Sequence, residues 1–172
     1  MTVLVTAASE HGATAEIAAR IAGALVAEGF EVEVRRPEEV DDLAPYEAFV
    51  VGSAVYLGRW LKPAKMFVEA HAEELAERPT WLFSSGPIVG NPPRPVPDDG
   101  RQGDELASEI NARGHKVFPG KLDRSQLNWC ERVAVRCAHA SEGDHRDWHE
   151  VEAWAAAIGG ELRQAQIVAA RS

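Results

Sequence analysis

Ala48–Ser53 (AFVVGS) is an uncharged run of six residues, short for a helix and apolar at both alternating positions. A strand of that kind is covered on both faces, the condition of a central strand in a parallel sheet. Parallel neighbours need crossover connections, and the flanking sequence supplies them. Thr2–Thr6 (TVLVT) is rich in β-branched residues, and Ala13–Glu28 follows with Ile17, Ala18, Ile21, Ala22, Leu25 and Val26 at helical spacing. Gly29 stands where a helix closes, and Glu31–Arg35 (EVEVR) alternates Val32 and Val34 with charge, as an edge strand does. Leu61–Glu77 reads as a helix with Ala64, Phe67, Val68, His71 and Leu75 on one stripe, and Thr80–Ser84 (TWLFS) as the next strand. Asp104–Arg113 reads as a short helix, Lys116–Phe118 opens a fifth strand, and Arg124–Ala138 and Asp147–Ala165 read as two further helices. The last of these turns Trp148, Val151, Ala155, Ile158 and Leu162 inward. The alternation predicts one α/β domain over residues 1–172, with right-handed crossovers placing helices on both faces of the sheet.

Charge and composition remove several classes of function. The chain has 18 Lys and Arg against 27 Asp and Glu, a net charge of −9, which disfavours a nucleic-acid-binding surface. No apolar run approaches the ~20 residues of a membrane span. Met1–Ala8 reads as a strand rather than a secretory leader, so a cytoplasmic protein is expected. Cys130 and Cys137 lie seven apart in a helical pattern, on the order of 10 Å between Cα atoms, beyond disulfide reach.

In open parallel sheets, ligands bind beyond the carboxyl ends of the strands, and three segments there stand out. Ser9, Glu10, His11, Gly12, Ala13 and Thr14 run from a strand into a helix. Unpaired amides and the positive end of the helix dipole suit a phosphate there, with Ser9 and Thr14 as hydroxyl donors and Gly12 allowing close approach. Neither GxxxxGK[ST] nor GxGxxG occurs, which leaves plain helix capping as the alternative. The second segment holds Ser53, Ala54, Val55, Tyr56, Leu57, Gly58 and Trp60, whose aromatic rings suit either a flat ligand or ordinary packing. The third, Ser84, Ser85, Gly86 and Pro87, is small enough for backbone to approach a planar edge. A Pro-rich stretch follows, with half of the ten prolines between Pro87 and Pro97, and reads as a long functional loop.

With these segments in this order, the chain resembles the flavodoxin family. SEHGAT is similar to the family's S/T-x-T-G-x-T phosphate loop, and GSAVYLGRW and SSGPIVG stand where its two isoalloxazine loops belong. The endings GKLDR and EGDHRDWHEVEAWAAAI resemble the branch of menaquinone-dependent protoporphyrinogen oxidases. The resemblance implies a flavodoxin-like three-layer sandwich, a five-stranded parallel sheet in the order 2-1-3-4-5, and FMN as the cofactor. The three segments would then be its binding residues, with the flavin carrying the chemistry. His11 stands at a position where many members have threonine, Ala13 offers only its backbone, and Glu10 places a carboxylate beside the phosphate site.

Three functions remain open at this point. One is an FMN-dependent oxidoreductase moving electrons between a reduced donor and a quinone or other small organic molecule. The second is an electron carrier steered to a redox partner protein by its acidic surface. The third is a flavodoxin fold that has lost FMN, for which Glu10 speaks. His145 and His149, spaced i, i+4 among Asp144 and Asp147, have metal-ligand spacing, but Asp at a helix start is the expected cap.

Overall fold

The computed structural model describes residues 1–56, 58–86, 88–89, 94–95, 100–122 and 143–170. In chain order these form β1 (Thr2–Ala8), α1 (Ala13–Ala27), β2 (Glu31–Arg35), a 3-10 turn (Pro37–Glu39), β3 (Ala48–Tyr56), β4 (Arg59–Trp60), α2 (Lys62–Ala70), α3 (Ala72–Glu77) and β5 (Thr80–Gly86). Then follow β6 (Ile88–Val89), β7 (Arg94–Pro95), α4 (Arg101–Glu109), β8 (Gly114–Pro119), β9 (Lys121–Leu122), β10 (Gly143–Asp144) and α5 (Trp148–Ala169).

The parallel strands lie in the order β2-β1-β3-β5-β8, which is the expected 2-1-3-4-5 arrangement. One addition was not visible in the sequence pattern: β4 folds back antiparallel on the end of β3, pairing Val55 with Trp60 and Tyr56 with Arg59. Between them Gly58 lies at φ +74, a conformation that favours glycine.

Each face of the sheet has its own core. Val3, Val5, Val50, Phe83 and Phe118 pack beneath α1 and α5. Leu4, Phe49, Val51, Leu82 and Val55 pack on the other side with α2, α3 and α4. Successive strand residues alternate between the two, so a slip of one residue would exchange the cores. Phe83, Phe118 and Trp154 form a triangle of edge-on rings with centroids 5.5–6.3 Å apart. Trp81 is buried, and Trp148 packs partly buried against the same core.

Several boundaries differ from expectation for local reasons. Leu61–Glu77 is two helices rather than one, because His71 at φ −114 and ψ 23 breaks the run. The helix expected over Asp104–Arg113 starts at Arg101 and stops at Glu109, since Asn111 takes a left-handed φ of +50. Val26 belongs to the apolar spacing of α1 but is 54% exposed. Within the expected Pro-rich loop, Ile88–Val89 and Arg94–Pro95 pair as a short antiparallel ladder, and the prolines around them fall outside the described residues. The same holds for the expected helix Arg124–Ala138, with Cys130 and Cys137.

Gly52 lies opposite Phe83 in the β3–β5 register, and a Cβ there would overlap the Phe83 ring. Gly52→Ala should therefore lower unfolding stability by about 1–3 kcal/mol in a urea titration, as an overpacked core does. Adding Phe83→Leu should recover part of that loss; strict additivity of the two changes would mean that the ring is not the obstacle.

Candidate functional site

The parallel register delivers three segments to one end of the sheet. Ala8 lies opposite Ser53, Ser53 opposite Ser84, and Ala54 opposite Ser85. Adjacent strands are about 5 Å apart, so the loops leave side by side. The side chains at this level are Ala, Ser and Gly, which keeps the strand ends open.

On the first loop, Gly12 is the N-cap of α1 at φ +82 and has no side chain to accept from the helix amides. Glu16 N bonds to Gly12 O at 3.0 Å, but the amides of Ala13, Thr14 and Ala15 donate to no backbone carbonyl among the described residues. Thr14, in the first turn of α1, is buried. Ser9 and His11 are half-buried and Glu10 is exposed, its side chain turned to solvent. The His11 ring meets that of Tyr56 edge-on, 6.4 Å between centroids, joining the first loop to the second.

The second loop is held from below. Ser53 Oγ donates to Ala54 O at 2.8 Å and accepts from Leu61 N at 2.9 Å, fixing both ends of the β3–β4 hairpin. Trp60 is only 4% exposed: its ring is an anchor inside the α2-side core rather than a platform open at the strand ends. Its backbone N donates to Gln102 Oε1 at 2.6 Å and its indole N–H to Ser84 Oγ at 2.8 Å. Tyr56, half-buried, is the aromatic residue of this loop that reaches the strand-end surface. Ala54 and Gly58 are also half-buried, and Val55 is buried. On the third segment Ser84, Ser85 and Gly86 are buried, and Gly86 O accepts from Gly120 N at 2.8 Å, tying β5 to the end of β8. Leu57 and Pro87 lie outside the described residues.

The sequence did not single out Arg146. Its side chain is 3% exposed and lies 4.5 Å over the Trp148 ring. The guanidinium is bidentate to Asp144 (2.6 and 2.8 Å), reaches Glu16 at 2.7 Å, and donates to Ala13 O at 3.3 Å. It thus pins the first turn of α1 and neutralises Glu16, a carboxylate that would otherwise oppose an anion at that helix end. The neighbouring Asp147 is the cap of α5, accepting from His149 N and Glu150 N, so the acidic residues around His145 and His149 serve Arg146 and the helix start.

Paired with Arg146, the Asp144 carboxyl is held at about 2 against an ordinary 3.8. A depressed carboxyl stabilises the fold above its ordinary titration range, and that contribution is lost as pH falls from about 4 towards 2. Asp144→Asn should therefore lower Tm at neutral pH, with the difference closing by about pH 2. A difference that is constant over that range would contradict the pairing.

A flavodoxin domain profile matches residues 4–148. No curated protein sequence matches the chain significantly. Among solved structures, an archaeal flavodoxin is 22% identical, with a TM-score of 0.54 over 80% of this chain and 96% of that one. The flavodoxin of Streptococcus pneumoniae TIGR4 is 17% identical, with a TM-score of 0.64 over 94% and 99%. Rubredoxin oxygen:oxidoreductase from Desulfovibrio gigas is 15% identical with a TM-score of 0.63, and this chain corresponds to 36% of its length. The likeness is to flavodoxins as a group, and the narrower resemblance to protoporphyrinogen oxidases is not supported by it. With its profile match spanning most of its length and its strands in the matching order, the chain belongs to the flavodoxin domain family.

Proposed function

We propose that the chain binds FMN at the strand-end cleft and works as an oxidoreductase, passing electrons between a reduced donor and a small organic molecule such as a quinone. The observation that carries this reading is the uncapped start of α1: Gly12 offers no side-chain cap, and the amides of Ala13, Thr14 and Ala15 donate to no backbone carbonyl among the described residues. A phosphate supplies the acceptors that this end lacks. Ser9 and Thr14 donate to it from either side of Gly12, and the Arg146 latch holds the turn in place.

The flavin, when bound, supplies the one- and two-electron chemistry, and the protein supplies binding, orientation and electrostatics. Ala54, Tyr56 and Gly58 form one wall of the ring site, and Ser85 and Gly86 the other. The β3–β4 hairpin, anchored by Trp60, extends that wall past the sheet, which suits a small molecule held at the ring edge. A second reading, a carrier for a redox partner protein, is favoured by the net charge of −9. No helix among the described residues is long and apolar enough to cross a membrane, and we place the reaction in the cytoplasm.

The purified protein should carry flavin bands in its absorbance spectrum, and turnover of NAD(P)H with a quinone panel separates enzyme from carrier. Charge-assisted hydrogen bonds are worth about 1.5–3 kcal/mol each. The Ser9→Ala, Thr14→Val double variant should therefore weaken FMN by about a hundredfold or more while its circular dichroism is unchanged. Unaltered FMN affinity would contradict the phosphate assignment. Glu10→Lys should tighten FMN about tenfold, ~1.4 kcal/mol, with the gain shrinking as salt rises. A loss of affinity would instead mean that the Glu10 carboxylate makes a required contact within the loop.

A further inference from the structure

Beneath α4, four polar side chains form a continuous chain from the hairpin to solvent. The Trp60 indole N–H donates to Ser84 Oγ at 2.8 Å. Ser84 Oγ and His115 Nε2 are 2.8 Å apart, as are His115 Nδ1 and Asp104 Oδ1. Trp60 and Ser84 are buried, the His115 side chain is 3% exposed, and the Asp104 carboxylate is 72% exposed. The imidazole lies directly under Gly103, where a Cβ would overlap the ring, so glycine at this position lets α4 close over it. The connectivity is that of a hydrolytic triad, yet Ser84 Oγ is enclosed and already accepts the indole proton. It presents no nucleophile to solvent.

The proton count along the chain has one consistent solution with neutral imidazole. An indole only donates, so Ser84 Oγ accepts from Trp60 and has a single proton to give. His115 Nε2 takes it when the ring proton is on Nδ1, facing Asp104. Every polar atom between Trp60 and Asp104 is then satisfied. A second ring proton on Nε2 reverses the Ser84–His115 bond. Ser84 Oγ must then accept from imidazolium and indole together, and its own proton loses its acceptor. In a buried site that conflict weakens the hold on Trp60.

We propose that His115 is a positioning residue for the ring side of the site: neutral, it sets Ser84 to hold Trp60 and the β3–β4 hairpin, and protonated, it releases them and weakens flavin binding. The part concerning flavin rests on the FMN reading above, and the part concerning Trp60 does not. Among the described residues, Asp104 is the charged group in contact with the ring. Elsewhere on α4, Arg101 pairs with Glu105, and Gln102 is neutral and holds Trp60 N. On β8, Lys116 pairs with Glu150 at 2.6 Å, and on β4, Arg59 is exposed. On β5 the facing group is the neutral Ser84. By reciprocity, FMN binding should make His115 harder to protonate.

The test uses the full chain without flavin, labelled with nitrogen-15, with the Trp60 indole resonance assigned by its loss in Trp60→Phe. Between about pH 8 and pH 5 that resonance should shift in one step that follows the His115 ring signal. The step should vanish in His115→Gln. In Ser84→Ala, His115 should still titrate while Trp60 no longer responds. A Trp60 resonance that is flat in the native chain, or that shifts equally in His115→Gln, overturns the proposal. FMN affinity should fall about fivefold more in the native chain than in His115→Gln over the same range, the phosphate's own titration being common to both. Equal falls overturn the part concerning flavin. No FMN binding at either pH, with the Trp60 step intact, supports the His115–Trp60 linkage and overturns the flavin reading instead.

Discussion

Backbone hydrogen bonds between β1, β3 and β5 hold Ala8 level with Ser53 and Ser53 level with Ser84. Because the three strands run in one direction, the chain leaves all of them at the same end of the sheet. Everything placed at that end depends on this register: the uncapped start of α1, the hairpin above β3, and the Ser-Ser-Gly end of β5. A slip of one residue in β3 would exchange its two faces and bury the hairpin anchor on the wrong side. The close fit of the Phe83 ring over Gly52 opposes that slip from within the core.

Two different devices secure the segments at the strand ends. On the α1 side, Arg146 ties the carboxyl-terminal part of the chain to the first helical turn through Asp144, Glu16 and the Ala13 carbonyl. A buried guanidinium is costly alone, and here two carboxylates and the Trp148 ring compensate it. On the other side the ties are neutral: Gln102, Ser53 and Ser84 hold the hairpin through its backbone and the Trp60 indole. The start of α1 is thus fixed by charge and the β3–β4 hairpin by neutral polar contacts.

The sheet order was legible in the sequence because periodicity reports burial. AFVVGS is apolar on both faces and lies in the centre, whereas EVEVR alternates and lies at the edge. The loops were legible because they follow strands in a known order. What periodicity could not report was long-range pairing. Arg146 sits in a polar stretch that looks like any helix start, and its partners at Ala13 and Glu16 are about 130 residues away in sequence. Trp60 taken alone read as a packing residue and only with its neighbouring loops as part of a ligand site, and its burial and indole bond to Ser84 place it in the interior. His115 was hidden in an ordinary strand pattern, HKVF, and Asp104 in a helix whose start was placed three residues late.

The most direct test of the account is a titration of the flavin-free protein with FMN and, in parallel, with riboflavin, which has the same ring and no phosphate. The account predicts micromolar or tighter binding of FMN, on the order of 8 kcal/mol, and riboflavin weaker by about a hundredfold because the α1 amides and Thr14 have nothing to bind. Equal affinity for the two would contradict the phosphate site at the start of α1, and no binding of either would contradict the flavin cleft as a whole.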